Sequence, residues 1–313
     1  MTTENRKRKT KRRFTVGKFV KILIIMILMA GIMAGGAIGT AVLAIMEDAP
    51  EIDPTTIMSN LDQTSSIYDM NGNLIEKILA EELRTIVSIK EMPEHLLDAF
   101  IAIEDERFES HPGVDIEGIA GALLDNFRSG GMRGASTITQ QLVKNVYLTN
   151  EVKLTRKITE AYLALKMETI LSKDQILEAY LNRNYFGQNA YGVQEASRTY
   201  FSKDVKDLTI AESAMLAGIV KSTTQFQPYY RVKPEDFDPA KHFEVGQIEV
   251  LGEKFIAVYN EDSEARQKLV LSQMLALGKI TKQQYDQALA QDMRTSLKPE
   301  QKKPQDITSY FAD

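Results

Sequence analysis

The chain of 313 residues carries 38 Lys and Arg against 43 Asp and Glu, is 43% hydrophobic and has no cysteine, which excludes disulfides, thiolate metal sites and thiol nucleophiles. Nine of the basic residues fall within residues 1–21, where Glu4 is the single acid, so the remaining 29 basic and 42 acidic groups leave the rest of the chain near −13. An acidic body of this kind is a poor nucleic-acid binder, and the length accommodates one large core or two modest ones.

No charged residue occurs from Ile22 to Met46, and at about 1.5 Å per residue this stretch is about 37 Å long, enough to cross a bilayer with tilt. It reads as an uncleaved transmembrane helix, because it is too long for a signal peptide and runs into Glu47 and Asp48, not into a small-residue cleavage site. The basic tail of residues 1–21 precedes the span and Glu47, Asp48, Glu51 and Asp53 follow it. The positive-inside rule therefore puts the N-terminus in the cytoplasm and everything from about residue 47 outside the cell membrane. Gly31, Gly35 and Gly39 recur every four residues on one helix face, the spacing through which a homodimer could form within the bilayer.

Residues 47–92 read as a stalk with a small β-hairpin: Asn71-Gly72 stands between the short apolar runs of Ser65 to Ile75, and Ile86, Val87 and Ile89 extend the same sheet. Residues 93–225 read as a compact helical core. Leu96, Leu97, Phe100, Ile101 and Ile103 form an apolar stripe that leads into Glu104; Asp115 caps a second helix that Gly130-Gly131 ends. Capping boxes recur at Thr137 with Gln140, Ser172 with Gln175, Thr209 with Glu212 and Thr281 with Gln284. Residues 226–313 form a C-terminal extension, with prolines 228, 234 and 239, a β-prone run at Phe255 to Tyr259, and a helical pair near Leu269 to Ala276 and Gln283 to Ala290.

Three clusters carry chemistry. In AIEDERFESHPG (Ala102 to Gly113), Glu104 follows an apolar stripe, and a partly desolvated carboxylate is suited to general-base work. A solvated acidic helix end is the plain alternative. In GASTITQQLVKN (Gly134 to Asn145), hydroxyls, two glutamines and Lys144 gather at a helix start, a place that holds phosphate or sugar hydroxyls, although capping alone accounts for Thr137 and Gln140. In RKITEAYLALKME (Arg156 to Glu168), Arg156 and Glu160 stand one turn apart. They form either an ordinary surface ion pair or a site for an anionic leaving group, reached directly or through a divalent cation.

The order and wording of these segments, with KDQILEAYLNRNYFGQNAYGVQEASRTYF (Lys173 to Phe201) and LTIAESAMLAG (Leu208 to Gly218), resemble the peptidoglycan glycosyltransferase domain of class A penicillin-binding proteins and their monofunctional relatives. The resemblance implies a mainly α, lysozyme-like domain with a membrane-dipping flap, placed near Phe127 to Arg133. It implies an inverting transfer that polymerises lipid II onto a growing lipid-linked glycan, with cell-wall synthesis proteins as partners. By motif, Glu104 would be the catalytic base, and Glu160 would organise the donor pyrophosphate, with Mg²⁺ or Mn²⁺ as its optional metal. Lys144, Arg156 and Lys157 would lie near that pyrophosphate, and Ser136, Thr137, Thr139, Gln140 and Gln141 would line the cleft. The absence of a glycine-rich dinucleotide loop agrees with a donor that needs no nucleotide cofactor.

The chain departs from the family pattern in having no proline between the LAG of the last motif and Pro228, and in the stretch His242 to Glu264, which looks like an insertion. It contains no Ser-x-x-Lys and no Lys-Thr-Gly, so no penicillin-binding acyl-transfer site is expected within it. The helical pair and the ending SYFAD look like the connection toward a transpeptidase domain. Two other classes compete: a lysozyme-like enzyme that cleaves glycan with Glu104 as acid, and a non-catalytic membrane scaffold of the cell-wall machinery.

Overall fold

A computed structural model describes residues 16–54, 57, 65–68, 74–78, 83–129, 134–148, 154–250 and 252–299. The chain divides into two units, residues 1–50 with 153–159, and residues 51–152 with 160–313. The first contains α1 (Val16–Glu47), 32 residues long. Its segment Leu23–Glu47 has a mean hydropathy of 2.2 and none of it is buried. A helix apolar on every face and long enough to cross a membrane agrees with the expected span.

In the second unit, β1 (Ser65–Tyr68) and β2 (Leu74–Ile78) pair antiparallel, with Ser65 opposite Ile78 and Tyr68 opposite Leu74. The expected hairpin is present; Asn71-Gly72 itself lies outside the described residues. The expected continuation of that sheet through Ile86 to Ile89 is not. Instead β3 (Leu83–Arg84) runs parallel to β4 (Ala190–Tyr191), and Ile89–Glu91 is a single 3-10 turn. Asn182 explains the difference: its side chain accepts from Val87 N at 3.0 Å and donates to Val87 O at 2.8 Å, as a neighbouring strand would. Glu178 accepts from Ile89 N at 2.8 Å, and the buried Arg84 guanidinium lies 5.3 Å from the Tyr191 ring centre.

Seven helices follow: α2 (Glu94–Glu104), α3 (Ile116–Ser129), α4 (Ile138–Tyr147), α5 (Leu154–Glu168), α6 (Lys173–Arg183), α7 (Val193–Phe201) and α8 (Ile210–Ile219). Capping boxes open α4, α6 and α8 as the sequence predicts. Fully buried Leu96, Phe100, Phe108, Ile138, Leu142, Leu163, Met167, Tyr180 and Tyr200 form the core, with Phe100 edge-on to Tyr180 and Phe186. Where α8 runs through this core it is lined with Ala211, Ala214, Ala217 and Gly218, small residues that let neighbouring helices approach closely.

The extension continues with α9 (Thr223–Phe226), a sheet of order β5-β7-β6 made of β5 (Tyr229–Val232), β6 (Glu244–Val250) and β7 (Glu253–Tyr259), and then α10 (Glu261–Ala276), α11 (Lys282–Ala290) and α12 (Met293–Ser296). The stretch that looks like an insertion is thus the β6–β7 hairpin plus the first turn of α10. The helix starts at Glu261, eight residues before the expected Leu269. Asn260 caps it, and Glu261, Asp262 and Glu264 suit its positive end. Its early buried positions are polar, Ser263 and Gln267, so they break the apolar stripe by which a helix is read. The extension is tied to the core: α10 packs on α8 and α2, Gln267 Nε2 donates to Ala211 O at 2.8 Å, and Lys279 Nζ pairs with Asp98 at 2.7 Å.

The loop between α2 and α3 crosses the backbone of α5 at Gly113, where φ is +102° and an added Cβ would lie 2.6 Å from Ala164 O. Gly113→Ala is therefore strained twice and is expected to lower unfolding stability by about 2–4 kcal/mol. Gly121→Ala on α3, where a Cβ meets nothing within 4 Å, is expected to raise it by about 0.5–1 kcal/mol. Equilibrium unfolding of the detergent-solubilised chain followed by circular dichroism compares the two.

Asp115 caps α3 by accepting from Gly118 N at 2.8 Å and takes two hydrogen bonds from Arg107, at 3.0 and 2.7 Å. Burial pushes the Asp115 carboxyl up, but the bonds from Arg107 and the Gly118 N–H together with the Arg107 charge outweigh it, and the group sits below its ordinary 3.8. A folded-state value depressed in this way stabilises above the unfolded-state value and the benefit is lost as pH falls through the folded one. Asp115→Asn is therefore expected to be less stable than wild type at pH 7, and the gap is expected to narrow once the pH drops below 3.8; the same unfolding assay repeated across pH 3–7 measures it.

Candidate active site

Glu104 is the last residue of α2, and its side chain is 12% exposed. It is held from two sides. Oε2 accepts from Gln141 Nε2 on α4 at 2.9 Å. Oε1 faces Arg266 Nη2 on α10 at 3.9 Å, a charge contact beyond hydrogen-bond length. Because a carboxylate only accepts, Gln141 must turn its NH₂ to Glu104 and its Oε1 to Tyr180, whose hydroxyl donates at 3.1 Å. Burial first, and then the charge of Glu104, hold the Tyr180 phenol well above its usual range, so it keeps the proton this chain of bonds requires.

Asp105, the neighbour of Glu104, points the other way. Its buried carboxylate accepts from His111 Nε2 at 2.9 and 3.0 Å and from Ile138 N, the first residue of α4, at 2.9 Å. Gly113 N donates to His111 Nδ1 at 3.1 Å, which fixes the Nε2–H tautomer. Thr137 Oγ1 donates to Gly113 O at 2.6 Å, and Thr139 Oγ1 donates to Glu168 Oε1 at 2.6 Å. Lys173 donates to Glu168 and to His111 O, at 2.8 and 2.7 Å. These bonds tie the loop behind Glu104 to the start of α4 and the end of α5.

The residues singled out in the sequence therefore divide. Gln141 reaches Glu104. Thr137 and Gln140 form the capping box of α4, and Thr139 is fully buried against Glu168, so both hydroxyls and the Gln140 Oε1 are engaged within the protein. Ser136 and Lys144 are half-buried at either end of the same segment. Glu160 is buried on α5, one turn after half-buried Arg156 and exposed Lys157, which belong to the first unit. Among the described residues no group of three or more His, Asp or Glu converges as a metal site. Tyr180 and Arg266 were not singled out. Tyr180 lies in a motif where it reads as core, and Arg266 is 162 positions from Glu104 with nothing in the sequence to join them.

On α3, Ile116, Leu123, Leu124 and Phe127 are exposed, Phe127 by 92%. Residues 130–133 of the expected flap lie outside the described residues.

A family model described as Transglycosylase matches residues 71–247. Penicillin-binding protein 1A of Clostridium perfringens is 39% identical over 291 residues, 91% of this chain and 32% of that protein. That of Neisseria lactamica is 41% identical over 260 residues, 82% of this chain and 29% of that protein. The chain spans about a third of the length of these curated relatives. A solved penicillin-binding protein 1A from Haemophilus influenzae covers 77% of this chain and 22% of its own at 23% identity, with a TM-score of 0.38. With the family model matching more than half of its residues, the chain belongs to the transglycosylase family, the peptidoglycan glycosyltransferase domain of class A penicillin-binding proteins.

Proposed function

We propose that this chain polymerises lipid II into glycan strands at the outer face of the cell membrane, with Glu104 as general base. The observation that carries the proposal is a mostly buried carboxylate at the end of α2, aimed by Gln141 and bordered by a cation, in a chain of this family. Glu104 takes the proton of the acceptor sugar's 4-hydroxyl as that oxygen attacks the donor's anomeric carbon. The bond from that carbon to the phosphate oxygen breaks, the lipid pyrophosphate leaves as an anion, and the configuration inverts. A pyrophosphate leaving group needs charge neutralisation more than protonation, the role given to Lys144, Arg156 and Lys157. Ser136 and Gln141 meet the sugar side, while Thr137, Thr139 and Gln140 hold the helix start that presents them.

Glu160 organises the donor side. A single carboxylate does not make a metal cage, but it fits the manner in which Mg²⁺ or Mn²⁺ is shared with substrate phosphates; the ion, when bound, would supply further charge neutralisation. The α1 span, the basic tail before it and the acids after it support an N-terminus in the cytoplasm. The exposed apolar face of α3 suits contact with lipid. Gly31, Gly35 and Gly39, whose added Cβ atoms would meet nothing within 4 Å, leave a face on α1 through which two copies pair, and other cell-wall synthesis proteins are the natural partners.

Incubation of the detergent-solubilised chain with labelled lipid II, followed by gel separation, tests this. Wild type is expected to give a ladder of long glycan and Glu104→Gln to lose about 10²–10⁴-fold in rate. Shortening of preformed glycan would assign the cleaving reaction instead, and inertness in several detergents with and without Mg²⁺ would assign a scaffold. Lys144→Ala is expected to lose at least about tenfold if it neutralises the leaving pyrophosphate.

A further inference from the structure

We propose that Arg266 is a positioning residue for Glu104, so that a helix of the C-terminal extension completes an active site otherwise built from the matched region 71–247. This rests on the assignment of Glu104 as the base.

Three observations carry it. The Arg266 side chain is only 13% exposed, its Nη2 lies 3.9 Å from Glu104 Oε1, and the opposite carboxylate oxygen is held by Gln141, so the two groups clamp the carboxylate between α4 and α10. Its buried Nε finds no hydrogen-bond acceptor among the described residues, so the contact with Glu104 is not offset by a competing bond at that nitrogen. Burial lowers the guanidinium from its ordinary range while Glu104 pulls it back up, and an arginine stays a cation under such shifts.

The third observation is the room made for it. Gly218 lies within α8, where glycine is less favourable than alanine. An added Cβ there would stand 2.9 Å from Arg266 Cγ, so the glycine leaves the channel along which the arginine stem reaches Glu104. The next residue, Gln267, is buried and bonded to Ala211 O at 2.8 Å, and the guanidinium lies 5.7 Å from the Phe226 ring centre. The arginine is thus fixed at its root, along its stem and on one face.

The test uses the full chain in detergent with labelled lipid II. Arg266→Gln is expected to lower kcat by about ten- to a hundredfold with KM little changed, because a displaced base costs turnover more than binding. Arg266→Lys is expected to recover part of that loss, and Gly218→Ala, which keeps the charge but pushes the stem, is expected to lower kcat in the same direction. Because Arg266 acts through Glu104, the double variant Glu104→Gln with Arg266→Gln is expected to match Glu104→Gln alone. Wild-type kcat in Arg266→Gln overturns the positioning role while leaving the glycosyltransferase reading intact. So does a raised KM with kcat spared, which would make Arg266 a substrate contact, or a double variant slower than Glu104→Gln. A wild type that leaves lipid II unchanged overturns the base assignment and the positioning role with it. Thermal unfolding of each variant is recorded alongside, and Gly218→Ala with Arg266→Lys decides the matter if Arg266→Gln unfolds.

Discussion

The site depends on one buried carboxylate, that of Asp105, held by bonds within the protein. Asp105 is taken out of water, and a buried charge is tolerated only when donors surround it. Its donors are the His111 ring and the first backbone N–H of α4, which come from two different motifs. Satisfying that charge therefore joins the end of α2 to the start of α4, and its neighbour Glu104 is left facing the opposite direction toward Gln141. The same network reaches α5 through Thr137, Gly113, Thr139 and Glu168. Adjacent acids in the sequence thus have opposite tasks: one is locked inward, the other presented to solvent-accessible space.

A second constraint comes from close helix packing. The small residues of α8 let α2 and α10 approach it, and Gly218 removes the one Cβ that would block the Arg266 stem. The extension is consequently part of the same core as the family region. Gln267 on Ala211, Lys279 on Asp98 and Lys298 N on Tyr200 O at 2.9 Å hold it there. The β6–β7 hairpin feeds directly into α10 through the Asn260 cap, whose amide also donates to Gln225 O and Gln227 O. Sheet and helix are thereby fastened to the end of α9.

Local chemistry was legible wherever the controlling partner lies within a few residues. The capping boxes at Thr137, Ser172, Thr209 and Thr281 are all formed, because a cap needs only residues one turn apart. The hairpin of β1 and β2 was legible for the same reason, as were the apolar α1 and the Asp115 cap. Legibility failed where a distant side chain replaced a local partner. Residues 86–89 have strand-like composition, yet Asn182 and Glu178 satisfy their backbone. The first two turns of α10 carry polar buried residues, Ser263 bonded to the cap residue Asn260 and Gln267 bonded to Ala211 on α8.

The sequence by itself determined the membrane-competent helix, the mainly helical class, the family, and Glu104 as the acid to examine, since each rests on composition, periodicity or motif order that neighbouring residues express. Only the tertiary structure decided which polar residues of those motifs do structural work and which face Glu104. Thr137, Thr139 and Gln140 look alike in sequence to Gln141, and just over half a turn of α4 separates burial against Glu168 from contact with Glu104. It also brought Arg266 beside Glu104. The physical reason is the same in both cases: a side chain's role is set by what packing places within about 4 Å of it, and for these residues that surrounding comes from segments far away in the chain.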